Sequence, residues 1–189
     1  MIISAKKILE LNKKYHIIEN LSERERLNPE GVGIDLRVGE VYRMKNEAGY
    51  LGVDTRKTPS TEKVADISNK AIKISPGEFV LVKTMEKINL PSEKIVIGKK
   101  NKSLIIADVH PRTTLFRSGI HLMVSKVDPG YQGELTFGLA NLGKNLFELE
   151  LGSRIANVIF VQVHGDLVRA YAGQWKGGRV AASKREKQN

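Results

Sequence analysis

After Gly133, the residues Leu135, Phe137 and Leu139 alternate with Glu134, Thr136 and Gly138. Successive side chains of a strand point to opposite faces, so a period of two describes a half-buried β-strand with its large apolar residues turned inward. The same grammar governs the chain from residue 30 onward. Residues 32–38 and 39–43 read as strand segments on either side of Gly39. Residues 72–74 run into Ser75, Pro76 and Gly77, where Pro presets one turn position and Gly supplies the positive φ of the next. Residues 79–83 leave that turn, and the apolar runs 95–97 and 104–106 flank a basic loop, 98–102. Residues 155–163 are apolar on both faces apart from Asn157 and Gln162, the composition of a central strand. Only the start reads as helix: Ser4 can cap a short segment whose Ile8, Leu9 and Leu11 share a face. Many short strands, Gly/Pro turns and one short N-terminal helix predict an all-β fold, a barrel or jelly roll. Residues 44–70 are polar and read as a long excursion, and no internal repeat is evident.

At 189 residues the chain suits one compact domain with a terminal arm. Residues 1–168 would form the β domain. Residues 169–189 are basic, rich in Gly and poor in large apolar groups, the composition of a flexible arm that orders over a bound anion. The chain has no cysteine, and its four histidines are scattered, which excludes disulfides and the clustered ligands of zinc hydrolases and zinc deaminases. Hydrolytic chemistry must therefore rest on carboxylates, with or without magnesium. The net charge of +10 suits either a polyanionic partner (nucleic acid, anionic lipid or a nucleoside triphosphate) or simply a basic, solvated surface. No apolar run reaches membrane-span length and the first residues are not a secretory signal, so a cytoplasmic location with no membrane partner is expected.

Three stretches could carry chemistry. In HPRTTLFRSG, residues 110–119, Thr113 or Thr114 can cap one helical turn that Gly119 ends. Free backbone N–H groups there, with Arg112 beside them, would seat a phosphate, or the feature is simply a capped turn. In DPGYQGE, residues 128–134, Asp128 either opens a Pro-Gly turn or holds and polarises a water, with Tyr131 against a sugar-like part of the ligand. In YAGQWKGGRV, residues 171–180, glycines permit close backbone approach. Gln174, Lys176 and Arg179 offer donors and charge, and Trp175, the only tryptophan, either stacks on a base or packs against a neighbouring subunit.

In order, these motifs resemble the superfamily of homotrimeric dUTPases and dCTP deaminases, over roughly residues 30–183. Residues 33–36, GIDL, are similar to its first motif, PRTTL to its second and VDPGYQGE to its third. Residues 141–143 and 152–156 resemble the fourth, and the glycine-rich tail resembles the closing arm, with Tyr171, Gly173 and Gln174 closest to the deaminase version. The resemblance implies a distorted jelly-roll trimer with sites between subunits. It implies Asp128 as the base that activates water against the α-phosphate of dUTP. Tyr131 would lie under the deoxyribose, with Val127, Tyr171 and Trp175 around sugar and base. Arg112, Thr113, Thr114, Arg117, Gln174, Lys176 and Arg179 would hold phosphate oxygens, and Asp35 would hold Mg2+ through water. The hairpin near 122–126 would read the pyrimidine edge.

Deaminases of this superfamily carry a glutamate ten residues after the motif-three aspartate, where this chain has Gly138. Glu134 lies on the same strand face but about 13 Å away, too far to substitute. The expectation is a dUTP diphosphatase making dUMP and pyrophosphate. The rivals are a dCTP deaminase, alone or coupled to hydrolysis, and a non-catalytic nucleotide- or nucleic-acid-binding protein on the same fold. A specific nucleic-acid partner is not expected, since no recognised motif for one is present.

Overall fold

The computed structural model describes residues 1–98 and 101–188. Lys99 and Lys100 of the expected basic loop lie outside the described residues. The chain opens with β1 (Ile2–Ile3), α1 (Ala5–Tyr15), β2 (Ile18–Glu19) and α2 (Glu23–Leu27). Next come β3 (Ile34–Met44), β4 (Tyr50–Leu51), β5 (Thr55–Lys57), β6 (Thr61–Asp66) and β7 (Ala71–Ile74). The middle holds β8 (Phe79–Asn89), β9 (Ile95–Val96), β10 (Lys102–Pro111), α3 (Thr113–Arg117) and β11 (Ile120–Met123). It finishes with β12 (Gln132–Asn141), β13 (Phe147–Glu150), β14 (Arg154–Val163) and β15 (Glu186–Lys187). The fold is mainly β, as the alternating pattern implied. No helix among the described residues is long and apolar enough to cross a membrane.

The main sheet is antiparallel, in the order β11-β12-β8-β3-β14-β10-β9, with β1 added to β14, β2 to β8 and β6 to β3. β14 lies between β3 and β10, the central place predicted by a composition apolar on both faces apart from Asn157 and Gln162. Register shifts at Glu134/Thr136, Val38/Glu40 and Arg154/Ala156 put extra residues on one strand of a pair. Such bulges bend a strand and raise its twist, and here they curl the sheet. The curl brings the segment before β12 against β10 from the opposite end of the strand order. There Val127 and Ala107 exchange backbone hydrogen bonds of 2.7 and 3.0 Å. Phe160, Leu36, Ile155, Val82 and Leu139 fill the interior.

Two local features depart from expectation. α2 is a second helix, capped by the Ser22 hydroxyl, which accepts from the Glu25 N–H at 3.2 Å. The excursion at 44–70 contains real strands: β6 joins β3, while β4 and β5 form a hairpin of their own. Polar composition hid them because their faces are largely solvated.

Candidate active site

Asp128, Pro129, Gly130 and Tyr131 form a tight turn at the seam where the curl closes. The Tyr131 N–H donates to Asp128 O at 3.1 Å, and Gly130 adopts φ +93°, as the third position of a type II turn requires. The turn is pinned to the end of β8: Gly130 N–H donates to Leu90 O and Leu90 N–H to Tyr131 O, both at 2.9 Å. Asp128 is left on the rim of a cavity of about 400 Å³, its carboxylate 39% exposed. Lys126 Nζ donates to Oδ1. The carboxylate is thus supported on one oxygen by Lys126 while the side chain as a whole is partly exposed at the rim, and a general base likewise needs its charged form supported and within reach of a proton-bearing nucleophile.

Tyr131 forms a wall of the same cavity. Its hydroxyl donates to Glu134 O. Burial, with smaller contributions from Tyr171 and Glu134, pushes its pKa up to about 12. The phenol therefore stays neutral, and its ring meets that of Tyr171 with centroids 5.7 Å apart at 54°. Val127, Tyr171, Trp175 and Arg179 complete the group of expected site residues lining this cavity, joined by Lys126, Leu81, Thr136 and Phe137. The other two arm candidates do not line it. Gln174 Nε2 donates along the arm to Lys187 O, and Lys176 is exposed.

The remaining candidates gather elsewhere. α3 is one turn long, but its N-cap is Arg112, which makes no side-chain cap hydrogen bond. The expected Thr113 or Thr114 cap is therefore not formed: both threonines lie inside the turn with side chains toward solvent. Gly119, at φ +78°, does follow the turn as expected. Arg117 rests over the Phe116 ring at 5.9 Å. Asp35, only 2% exposed, anchors this region. It accepts from Arg112 Nη1 at 3.0 and 2.8 Å, from Arg154 Nη1 at 2.8 Å and from Asn157 Nδ2 at 2.8 Å. Arg24 Nη1 stands 3.6 Å away, and Asp35 N–H donates to Glu25 Oε2 at 3.0 Å. Gly33 makes room for this arrangement, since a Cβ there would lie 1.9 Å from Asn157 Oδ1. Arg112 and Arg154 line one cleft with Thr114 and Ser153. One buried carboxylate thus holds two guanidiniums side by side, with further N–H groups left for an anion.

A magnesium ion near Asp35 does not fit this arrangement. Both carboxylate oxygens are taken by guanidinium and amide donors, and the neighbouring cations would repel another. No three His, Asp or Glu side chains gather as a metal site among the described residues. Sequence reasoning missed Arg154, Asn157, Arg24 and Glu25 as members of this cluster. The readable signal was Arg154 and Asn157 flanking Ile155 in a strand whose neighbour carries Asp35.

The two clusters are separate within one chain. No residue lines both the cavity and the cleft. Ala107 bridges to Val127, and Arg112 lies five residues further along, about 16 Å of extended chain.

Residues 2–163 match the family model described as dCTP deaminase-like. The chain belongs to this family. The dCTP deaminase of Pyrococcus furiosus is 32% identical over 177 residues, 93% of this chain and 94% of that protein. An Aeropyrum pernix protein named "Probable deoxyuridine 5'-triphosphate nucleotidohydrolase" is 28% identical over 145 residues, 77% of this chain and 82% of its own. The crystal structure of 2'-deoxycytidine 5'-triphosphate deaminase from Agrobacterium tumefaciens shares the fold at TM-score 0.61 and 16% identity. That alignment covers 88% of this chain and 49% of the other, so this chain spans about half that protein's length.

For a member of the dCTP deaminase-like family, the surroundings of Gly138 are informative. Gly138 faces the same way as Thr136, opposite Leu81 of β8 and Met123 of β11. A Cβ there would stand 2.9 Å from the Phe79 ring and 3.2 Å from Met123 Sδ. The position lacks an acid, and a side chain there would have to push aside the end of the half-buried Phe79 ring and the exposed Met123 thioether. Gly138→Glu is therefore expected to cost no more than about 1 kcal/mol of stability. Urea unfolding checks this, and a larger loss would show that the ring and thioether do not yield.

Proposed function

We propose that this chain is a dUTP diphosphatase that makes dUMP and pyrophosphate. The observation that carries the reading is Asp128, paired with Lys126 and partly exposed on the cavity rim, combined with the side-chain-free position at Gly138. Oδ2 takes a proton from a water molecule whose oxygen forms a bond to the α-phosphorus. The bond from that phosphorus to the bridging oxygen breaks, and pyrophosphate leaves. Tyr131 and Tyr171, packed ring against ring, offer one continuous aromatic surface to the sugar, and Arg179 on the cavity wall would meet the phosphates. Positioning and charge stabilisation supply most of the acceleration, as in phosphoryl transfer generally.

The separation of the two clusters supports a site shared between copies of the chain. In a homotrimer, the Arg112–Arg154 cleft of one subunit would serve the triphosphate bound beside Asp128 of another. Magnesium would arrive on the triphosphate oxygens rather than on Asp35. The names of several relatives favour a second reading, dCTP deamination, which would need a proton shuttle other than residue 138.

A panel of deoxynucleoside triphosphates, incubated with the protein and magnesium and resolved by product, decides between them. dUTP is expected to yield dUMP and pyrophosphate, while dCTP releases no ammonia. Ammonia and dUTP from dCTP would overturn the proposal, and binding without turnover would leave a nucleotide-binding protein.

A further inference from the structure

After β14 the chain leaves the main sheet, and its Gly-rich composition offers little with which to hold itself in place. It is nonetheless fastened at three points. The first is the catalytic turn: Tyr171 N–H donates to Pro129 O at 2.8 Å and Gly177 N–H to Gln132 O at 2.6 Å. Two glycines make that approach possible. A Cβ on Gly130 would lie 3.0 Å from Tyr171 O, and one on Gly133 would lie 2.5 Å from Gly178 N. The second point is Ala182, fully buried, whose carbonyl accepts from Thr58 N–H at 2.9 Å and whose N–H donates to Thr58 Oγ1 at 2.7 Å. The third is β15, which pairs with β5, followed by Gln188 Nε2 donating to Gly52 O at 2.6 Å.

The β4–β5 hairpin has no comparable business elsewhere. Its three-stranded sheet is β15-β5-β4 and includes no strand of the main sheet. Its large apolar residues point outward, with Leu51 78% and Val53 95% exposed. Two side chains of the hairpin meet the arm: the Arg185 guanidinium sits over the Tyr50 ring at 4.1 Å, and Arg56 reaches further in. Arg56 Nε lies 3.4 Å from Glu186 Oε1, and its guanidinium sits over the Trp175 ring at 4.8 Å. Arg179 meets the same two partners, Glu186 Oε2 at 2.8 Å and the Trp175 ring at 6.0 Å. Two guanidiniums therefore share one indole and one carboxylate, and one of those guanidiniums also lines the cavity.

We propose that the β4–β5 hairpin is the mooring of the C-terminal arm, and that Arg56 is a positioning residue that sets Trp175, Glu186 and Arg179 so that the arm covers the cavity. The inference rests on the reading of that cavity as the site of nucleotide hydrolysis. It assigns a role to a hairpin that contributes no described residue to the buried core. Closure then depends on a contact between residues far apart in sequence and remote from Asp128.

The test uses the full-length chain with Arg56→Ala and Arg56→Lys. Trp175 is the only tryptophan, so intrinsic fluorescence reports the arm directly. In Arg56→Ala the emission is expected to move to longer wavelength and trypsin to cut near Lys184 and Arg185 about tenfold faster. KM for dUTP is expected to rise about tenfold with a smaller change in kcat. Arg56→Lys keeps a cation over the ring and should restore most of each property. Wild-type emission and cleavage in Arg56→Ala would overturn the mooring. Altered emission and cleavage with unchanged KM and kcat would overturn the positioning role. Emission and cleavage need no turnover, so a wild-type protein inactive on every nucleotide would remove the hydrolase reading and the positioning role while the mooring is still decided.

Discussion

Asp128→Asn is expected to lower kcat for dUTP about a thousandfold, within the range that a positioned general base contributes. The substitution isolates the proton-accepting role because asparagine serves the turn equally well. Asp and Asn are both favoured at the first position of such turns, and the hydrogen bonds at Gly130, Tyr131 and Leu90 all use backbone atoms. The thermal midpoint should therefore stay near that of wild type. Affinity for a non-hydrolysable dUTP analogue should also be largely kept, since the aromatic walls and the arm are untouched. Lys126 would lose its anionic partner, but it lies exposed at the rim, and pairs of that kind contribute little to stability. Turnover at the wild-type rate would return Asp128 to the status of turn opener and leave the cavity without a base.

The turn and its strand were readable because everything that specifies them is local. The alternation from Glu134 to Leu139 set the faces of β12, and the Pro-Gly pair set the turn before it. The family motifs brought Asp128, Tyr131, Tyr171 and Trp175 to attention, and the structure places them around one cavity. What could not be read depends on partners distant in sequence. Asp35 looked like a metal-facing acid because nothing nearby marks it as paired, yet its partners stand 77, 119 and 122 residues away. The β4–β5 hairpin looked like loop because its third strand comes only after residue 185. The α3 cap failed for a different reason. The motif allowed a threonine cap, but Arg112 N–H donates to Ile155 O at 2.9 Å, which fixes the entry of the chain and makes Arg112 itself the cap residue.

The other large effect is expected at Asp35. Asp35→Ala would remove the acceptor of four hydrogen bonds and leave Arg112 and Arg154 adjacent, with Arg24 close by, and no central anion among them. Leaving a fully buried charge unpaired costs about 3–5 kcal/mol, but the arginines left here are each a third or more exposed and can be hydrated, so a loss of about 1–3 kcal/mol is expected. Glu25 offsets part of this, as its carboxylate already pairs with Arg24. The loss is expected in urea unfolding without nucleotide or magnesium, since the contacts lie within one chain. Asp35→Asn keeps the shape and should lose less stability, while raising KM for dUTP by releasing the two guanidiniums from their shared orientation. An acid serving only a magnesium water shell would behave the opposite way. Its removal would spare the fold and raise the magnesium concentration required for half-maximal rate. Wild-type stability in Asp35→Ala, together with a raised magnesium requirement, would therefore place Asp35 in the metal's surroundings and break the proposed link between β3, β14 and phosphate holding by Arg112.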